Sequence, residues 1–499
     1  MRLPFEVKWA RLPMPLRLPD GAPMSQRCAS ALTAGVLLLA LFNVTFRLHR
    51  QPVQEWDESL YATSAWEMLQ SGQWTAHTFR GELDYYNTKP PLNIWLIVLS
   101  FKAFGVGLVS LRVASVLASL GTVAVLMWWA RRRFGEPTAL FGGLVLSSMF
   151  AFFYVHSGRT ANTDAINTLL IVLTAVTVSE ARDGRWRLLW LGPIMAAVFL
   201  LRGMAVIMPA AIALIAAGWS RQWRRDRLAP AAGALVLFAI PVGAWMLARW
   251  RLDGWAFIGR LFWYDFVART TTNIEDHPGS VFYYFNILQK HHYDWIIAAL
   301  AAWLLFPISR DRLRAMAGAL RTGAGPIPVL AAWGVVTFAI PTLMSTKIAW
   351  YLHPFYPVFA IAVGAILAHA AAAAIGSGAA RWRRIALVAV VGLAVGVAEG
   401  RMIWYSYNHR NLRRDPQGLL LDERDALRGR QVFGARWDRA DIFVAEAVVG
   451  ARHRLAPDLA DFLRDSRPGD YYRTSAPLAH EAVTLVRSNR RAHLYKRIE

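Results

Sequence analysis

A chain of 499 residues, 56% of them apolar, concentrates nearly all of its unusual polar residues in a few short stretches. These are Trp56-Asp57-Glu58, Tyr85-Tyr86-Asn87-Thr88-Lys89-Pro90-Pro91, Arg159 to Asp164, Arg202-Gly203, His277-Pro278-Gly279 and Ser345 to His353. Asp57, Glu58 and Asp164 have the chemistry of a general base or of groups that orient one. Lys89, Arg159, Arg202 and Lys347 supply fixed positive charge. Tyr61, Tyr85, Tyr86 and Tyr351 offer flat faces for stacking, and His277 and His353 ring nitrogens. Each also has a plainer structural use. Leu60, Tyr61, Ala65, Met68 and Leu69 recur at helical spacing after Asp57, so Asp57-Glu58 would cap an amphipathic helix, and Asp164 the apolar run that follows it. Lys89 would snorkel beside Pro90-Pro91, and Lys347, Tyr351 and His353 would form an interfacial belt.

What must position these residues is a membrane-embedded scaffold. Mean hydropathy is +0.31, with 22 Trp and 25 Phe, so the bilayer is the expected solvent. The formal charge of +22 fits basic inner loops and headgroup contacts, and no nucleic-acid partner is expected. The single cysteine, Cys28, precludes an internal disulfide and any multi-cysteine metal site. Arg2, Lys8, Arg11, Arg17 and Arg27 precede the first apolar run with no convincing cleavage site, which reads as a retained cytoplasmic tail and signal anchor.

Apolar runs occur at about 30–46, 111–130, 138–155, 164–179, 188–202, 203–219, 229–249, 294–308, 326–343, 355–375 and 385–404, or about eleven spans. A further run at 91–109 opens on Pro90-Pro91 and is broken by Lys102, Gly105 and Gly107. Were it to cross, every dense basic cluster would face outward: Arg131 to Arg133, Arg182 with Arg185 and Arg187, Arg221 with Arg224, Arg225 and Arg227, Arg310 with Arg312 and Arg314, and Arg381 with Arg383 and Arg384. Left uncrossed, all five lie inside, as the positive-inside rule requires. The run is therefore predicted to be an interfacial or re-entrant helix within a long outer loop, and every polar stretch named above then gathers on the outer face. Carboxylates, Lys and His are costly at a membrane interface when unpaired, so their convergence predicts a solvent-reached cavity. From Tyr405 onward charge is mixed and turn signals appear at Asp415-Pro416, Ala456-Pro457 and Pro468-Gly469, which predicts a small α/β domain outside the membrane. The expected fold is thus an all-α polytopic membrane protein with a small C-terminal α/β domain. Residues 1–404 would be the membrane domain, with outer loops at 47–110 and 250–293, and 405–499 the soluble one.

The order and spacing of the polar pieces resemble the glycosyltransferase C superfamily, in the branch of dolichyl-phosphate-mannose protein mannosyltransferases and bacterial aminoarabinose transferases of lipid A. The resemblance covers roughly residues 30–360. It rests on Asp57-Glu58-x-x-Tyr61, Glu67-Met68-Leu69 with Ser71-Gly72-x-Trp74, and Tyr86-x-x-Lys89-Pro90-Pro91. It continues through Arg159 and Asp164, Arg202-Gly203 where relatives usually have Lys-Gly, His277-Pro278-Gly279 with Tyr283-Tyr284, and Lys347-x-x-x-Tyr351-x-x-Pro354. The resemblance implies an inverting transfer of a sugar from a polyprenyl-phosphate carrier, such as undecaprenyl phosphate, at the periplasmic face of a bacterial inner membrane. It puts Asp57 at the reaction centre.

A phosphate is already a good leaving group, so fixed positive charge helps more than a general acid, and Lys89, Arg202, Lys347 and Arg159 are the candidates to bind it. Asp57 would take the proton of an acceptor hydroxyl, with Glu58 or Asp164 orienting it or binding sugar hydroxyls. If the acceptor is itself a phosphate, Asp57 would only position it. Tyr61, Tyr85, Tyr86, Tyr351, His277 and His353 would contact sugar or acceptor. The expected partners are the lipid-linked donor, an envelope glycolipid, glycan or protein acceptor, and membrane lipids. No metal or other cofactor is required, although a divalent ion is compatible with the chemistry. The rival readings are a ligase that transfers a whole lipid-linked oligosaccharide and a secondary transporter. A transporter would place its breaks at the midplane of two repeated halves, and no such repeat is present.

Overall fold

The computed structural model describes residues 25–222, 224–268, 279–376, 378–409 and 411–498. His277 and Pro278 lie outside the described residues, as do Arg2, Lys8, Arg11 and Arg17 of the tail.

The chain is mostly helical. The first part carries α1 (Gln26–Thr45), α2 (Asp57–Ser71), α3 (Leu92–Phe104), α4 (Val113–Phe134), α5 (Glu136–Ser147), α6 (Phe150–Tyr154), α7 (Asp164–Glu180) and α8 (Leu191–Arg202). It continues with α9 (Ile207–Trp219), α10 (Leu228–Asp253), α11 (Ala256–Phe262), α12 (Tyr283–Leu305), α13 (Arg310–Thr322), α14 (Ile327–Leu343), α15 (Tyr356–Gly376) and α16 (Arg381–Asn408). Among the described residues six helices are long and apolar enough to cross a membrane: Gln26–Arg50, Ser110–Phe134, Arg185–Trp219, Arg225–Asp253, Ala349–Gly376 and Arg381–Asn408. The pair α13 and α14 meets the same test together but bends by 78°. Leu235, Leu237 and Ile240 on α10 and Val388 and Leu393 on α16 are exposed, as expected of faces that meet lipid rather than water.

Two local features shape the scaffold. α5 and α15 pack so closely that a Cβ at Gly364 would lie 2.4 Å from the Gly142 nitrogen, so glycine on both helices permits the contact. The Arg185–Trp219 stretch breaks at Gly203, whose φ of 57° favours glycine and whose Cβ would meet Leu261 at 2.7 Å. That break turns Arg202 off the end of α8 instead of burying it in a continuous helix. α3, by contrast, has only 13 residues. At about 1.5 Å per residue it falls well short of a hydrocarbon core of about 30 Å.

Outside the long helices, Thr78–Phe79 (β1) and Glu82–Leu83 (β2) form a small antiparallel hairpin between α2 and α3. Residues after α16 build a five-stranded sheet from Gln431–Gly434 (β3), Arg452–Leu455 (β4), Tyr471–Thr474 (β5), Val483–Ser488 (β6) and His493–Arg497 (β7), in the order β4-β3-β5-β7-β6. β3 runs parallel to β4 and β5, and β7 antiparallel to β5 and β6. Phe433, Phe462, Tyr472 and Tyr495 fill one of its cores. This unit docks on the segment between α1 and α4. Phe443 stacks on Phe101 with centroids 6.0 Å apart, Gln417 pairs with both backbone groups of Val53, and Arg439 bonds Asp84 at 2.6 Å.

Candidate active site

A cavity of about 1110 Å³ opens where α2, the loop before α3, the start of α7, the α8–α9 break, α11 and the segment between α14 and α15 converge. Asp57, Tyr61, Tyr85, Tyr86, Lys89, Asp164, Arg202 and Tyr351 all line it. These side chains come from five well-separated stretches, so only the fold brings them together.

Asp57 is the first residue of α2, and the N-cap position before it is Trp56, which makes no side-chain cap bond. Asp164 likewise follows its N-cap, Thr163. Neither carboxylate caps its helix. Trp56 sits at φ 69°, a left-handed conformation rare for a bulky residue, and so turns the chain sharply just before Asp57. The Asp57 carboxylate is 43% exposed toward the cavity, whereas that of Asp164 is 3% exposed.

Asp164 is held from two sides. Arg202 Nη1 donates to its Oδ1 at 2.6 Å, and His156 Nδ1 lies 3.0 Å from its Oδ2. The other ring nitrogen of His156 faces Asp57 Oδ2 at 3.4 Å. His156 stacks on Trp350 with ring centroids 3.9 Å apart and planes within 9°, on a backbone with φ 57°. Arg202, Asp164, His156 and Asp57 therefore form one continuous polar chain along the cavity wall. His156, Trp350 and Arg260, which also line the cavity, are not among the residues singled out from the sequence. The signal for His156 was its place three residues before Arg159, in the same segment as Asp164.

The remaining candidates take other places. Glu58 is fully buried and does not line the cavity: its two oxygens bind Arg112 Nε and Nη2 at 2.7 and 3.1 Å, Gln54 N at 2.8 Å and Ala161 N at 2.9 Å. Every acceptor direction is turned into the protein, and the contacts tie α2 to the segment that leads into Asp164. Arg159 is 2% exposed, donates to the carbonyls of Asn43 and Val44 at 2.9 and 3.2 Å, and lies over the Tyr154 ring. Lys347 directs Nζ onto the carbonyls of Thr342, at 2.7 Å, and Met344, at the C-terminal end of α14 where the helix dipole favours a cation. His353 is buried, with Nε2 2.6 Å from the Val155 carbonyl.

The Lys89 loop is braced from behind. His77 Nε2 lies 2.8 Å from the Lys89 carbonyl, and burial pushes the His77 pKa down to about 4, so the ring is neutral and donates. Asp84 Oδ1 accepts from the backbone of Tyr86 at 3.0 Å and of Asn87 at 3.4 Å.

The family model for dolichyl-phosphate-mannose-protein mannosyltransferase matches residues 88–245, which contain Lys89, Asp164 and Arg202. The chain is 28% identical over 394 residues to undecaprenyl phosphate-α-4-amino-4-deoxy-L-arabinose arabinosyl transferase 2 of Pseudomonas fluorescens, a match that takes in 76% of this chain and 63% of that protein. It is 28% identical over 319 residues to the corresponding transferase of Pseudomonas aeruginosa, across 62% of this chain and 54% of the relative. The chain thus spans between half and two thirds of the length of these curated relatives. Its fold is that of the crystal structure of ArnT from Cupriavidus metallidurans bound to undecaprenyl phosphate, with a TM-score of 0.67 over 94% of this chain and 98% of that one, at 18% identity. In sequence and in fold the chain is ArnT-like, in agreement with the resemblance read from its motifs.

Proposed function

We propose that this ArnT-like chain is an inverting glycosyltransferase that moves one sugar from a polyprenyl-phosphate carrier to a lipid, glycan or protein acceptor at the periplasmic face of a bacterial inner membrane. The observation that carries the reading is one cavity lined together by a carboxylate open to it, Asp57, three cations, Lys89, Arg202 and Arg260, and five tyrosines. In such a transfer the acceptor oxygen attacks the anomeric carbon from the face opposite the phosphate, and the bond to the phosphate breaks. Charge develops on the departing phosphate. Lys89, Arg202 and Arg260 offer positive charge for it along the cavity wall. Asp57, open to the cavity, would accept a proton from the incoming oxygen or orient it, and the tyrosines would offer faces to the sugar ring. Undecaprenyl phosphate is the favoured carrier, since it is the donor lipid in the names of the relatives and the ligand of the ArnT structure. Lipid A is the first acceptor to try.

Glu58, Arg159, Lys347 and His353 act in this reading as supports of the cavity wall, because their polar atoms are engaged by the protein itself. The proposed topology has about eleven spans, with residues 1–404 as the catalytic membrane domain and 405–499 as a periplasmic α/β domain. The shortness of α3 and the five basic clusters support it. Purified protein in lipid nanodiscs, given undecaprenyl phosphate-α-4-amino-4-deoxy-L-arabinose and lipid A, should transfer the sugar. Mass spectrometry of envelope glycolipids, glycans and glycoproteins from a deletion strain should show one sugar missing. An envelope unchanged in all three classes would refute the reading.

A further inference from the structure

We infer that α13 and α14 form a second lipid site, shaped for an anionic glycerophospholipid whose chain fills an apolar groove along α14 and whose phosphate meets three arginines of α13. The groove shares no lining residue with the candidate active site among the described residues, and it does not depend on what that site transfers.

In α13, Leu313, Met316, Ala317 and Leu320 stand at i, i+3, i+4 and i+7, so they form one stripe. Arg310, Arg314 and Arg321 fall beside that stripe, within about 40° of one another at about 100° per residue. All three arginines are exposed, and so are Leu313 and Met316. The opposite flank holds the helix to the protein: Ala319 is buried, and Arg312 Nη1 lies 2.5 Å from His369 Nδ1. The end of the helix is pinned as well, with Trp219 Nε1 donating to the Leu320 carbonyl at 2.6 Å and Arg182 Nη1 to the carbonyls of Gly323 and Gly325 at 2.9 and 3.2 Å. α13 is thus fixed at 78° to α14. A helix so placed lies in the headgroup layer, its apolar stripe toward hydrocarbon and its arginines level with lipid phosphates.

The stripe continues onto α14. Leu320 opens a groove of about 540 Å³ that runs past Ile327, Ala331 and Val335 to Phe338, and every residue that lines it is apolar. A Cβ at Gly334 would come within 3.2 Å of Val358 and 3.8 Å of the Phe355 ring, so glycine keeps the groove deep. From Ile327 to Ala339 the groove follows about 18 Å of helix, close to one leaflet of a hydrocarbon core of about 30 Å. That depth suits one fatty-acyl chain, and a longer polyprenyl chain would overrun it. Charge selects the headgroup. α13 carries four arginines against one acid, Asp311, which lies 3.2 Å from Arg314. Fixed positive charge at the mouth of an apolar groove complements a phosphodiester whose chain enters it, and a zwitterionic headgroup gains less.

The test uses the full-length protein in neutral detergent and two probes with identical chains, phosphatidylglycerol and phosphatidylcholine, each with a photoreactive group in the chain. Native mass spectrometry measures retained lipid, and peptide mapping locates the crosslink. Phosphatidylglycerol should be retained about tenfold more tightly, with crosslinks on 327–339 and 355–358. The triple variant Arg310→Gln, Arg314→Gln, Arg321→Gln should erase that preference. Ala331→Phe, which fills the groove, should weaken retention of both lipids and clear its crosslinks. Equal retention of the two lipids by the wild type overturns the inference, as does a triple variant that keeps the preference or a crosslink map spread over all lipid-facing helices. Undecaprenyl phosphate at equal concentration should leave most groove crosslinks in place. If it clears them, the groove is the path of a polyprenyl chain and the inference falls. Where either variant fails to fold, the wild-type retention ratio and crosslink map decide.

Discussion

Arg112 grips both carboxylate oxygens of Glu58, Nε to Oε1 at 2.7 Å and Nη2 to Oε2 at 3.1 Å, with neither side chain exposed to solvent. Arg112 also donates to the carbonyls of Leu48, Gln51 and Pro52, so the pair is fully satisfied. Removing one partner leaves the other buried and uncompensated. Glu58→Ala and Arg112→Ala should each cost about 3–5 kcal/mol of stability. Thermal unfolding in detergent measures this. A Glu58→Ala protein that melts normally but has lost turnover would instead make Glu58 part of the chemistry.

A second brace ties the C-terminal sheet unit to the cavity. Arg439 Nη1 donates to Asp84 Oδ2 at 2.6 Å and lies over the Phe79 ring at 4.0 Å, while Asp84 Oδ1 holds the backbone of the loop that carries Lys89. Arg439→Ala should therefore loosen Lys89 without touching the reacting atoms. Donor KM is expected to rise by about 3–10-fold with kcat changed less, equivalent to about 1 kcal/mol of binding. A drop confined to kcat would count against this coupling.

His77 makes stability depend on pH. Its pKa is held near 4 in the folded protein, by burial above all, against an ordinary value of 6.5. Above pH 6.5 both states are deprotonated and the full stability is present. As pH falls from 6.5 to 4 the unfolded chain takes up the proton and the folded one does not, so up to about 3 kcal/mol is lost, with no further loss from this group below that. Melting temperature measured from pH 7 to pH 4 should fall more steeply in the wild type than in His77→Gln. Parallel curves would exclude His77 as the cause.

Serial motifs make much of the cavity legible in the sequence: Asp57, Lys89, Asp164, Arg202, Tyr61, Tyr85, Tyr86 and Tyr351 all line it. What sequence does not carry is which charges are consumed internally. Glu58 looks as reactive as Asp57, yet its partner Arg112 lies 54 residues away at the start of an apolar run, where nothing local reveals the pairing. Lys347 looks like an anion ligand until the end of α14 supplies carbonyls for its ammonium group. His156 was overlooked for the opposite reason. A lone histidine after Tyr154-Val155 has no motif, and its role emerges only when α2 and α7 bring two carboxylates to its two nitrogens. Helices were legible from hydropathy, whereas the break at Gly203 shows as a positive φ, not as a change in composition.

The proposed topology rests on the clusters of arginine and on the length of α3. In a Cys28→Ser background, single cysteines at Arg132 and Arg224 should be labelled only after the membrane is permeabilised, and one at Glu481 in intact spheroplasts. All three positions are exposed, so a silent site cannot be ascribed to burial. Labelling of 132 or 224 from outside would invert the protein and place the cavity on the cytoplasmic face.

Asp57 separates a structural from a chemical role most sharply. It does not cap α2, since Trp56 occupies that position, and its carboxylate is 43% exposed toward the cavity with His156 at 3.4 Å. Asn at 57 keeps the shape, and the loss of a first-turn charge should cost well under about 1 kcal/mol of stability. What Asn lacks is proton affinity. If Asp57 accepts the acceptor proton, turnover should fall by about 100-fold or more while melting temperature and affinity for undecaprenyl phosphate stay near wild type. Near-normal turnover in Asp57→Asn would remove the residue from the mechanism and leave Asp164, already held by Arg202 and His156, as the only other candidate carboxylate proposed here that lines the cavity.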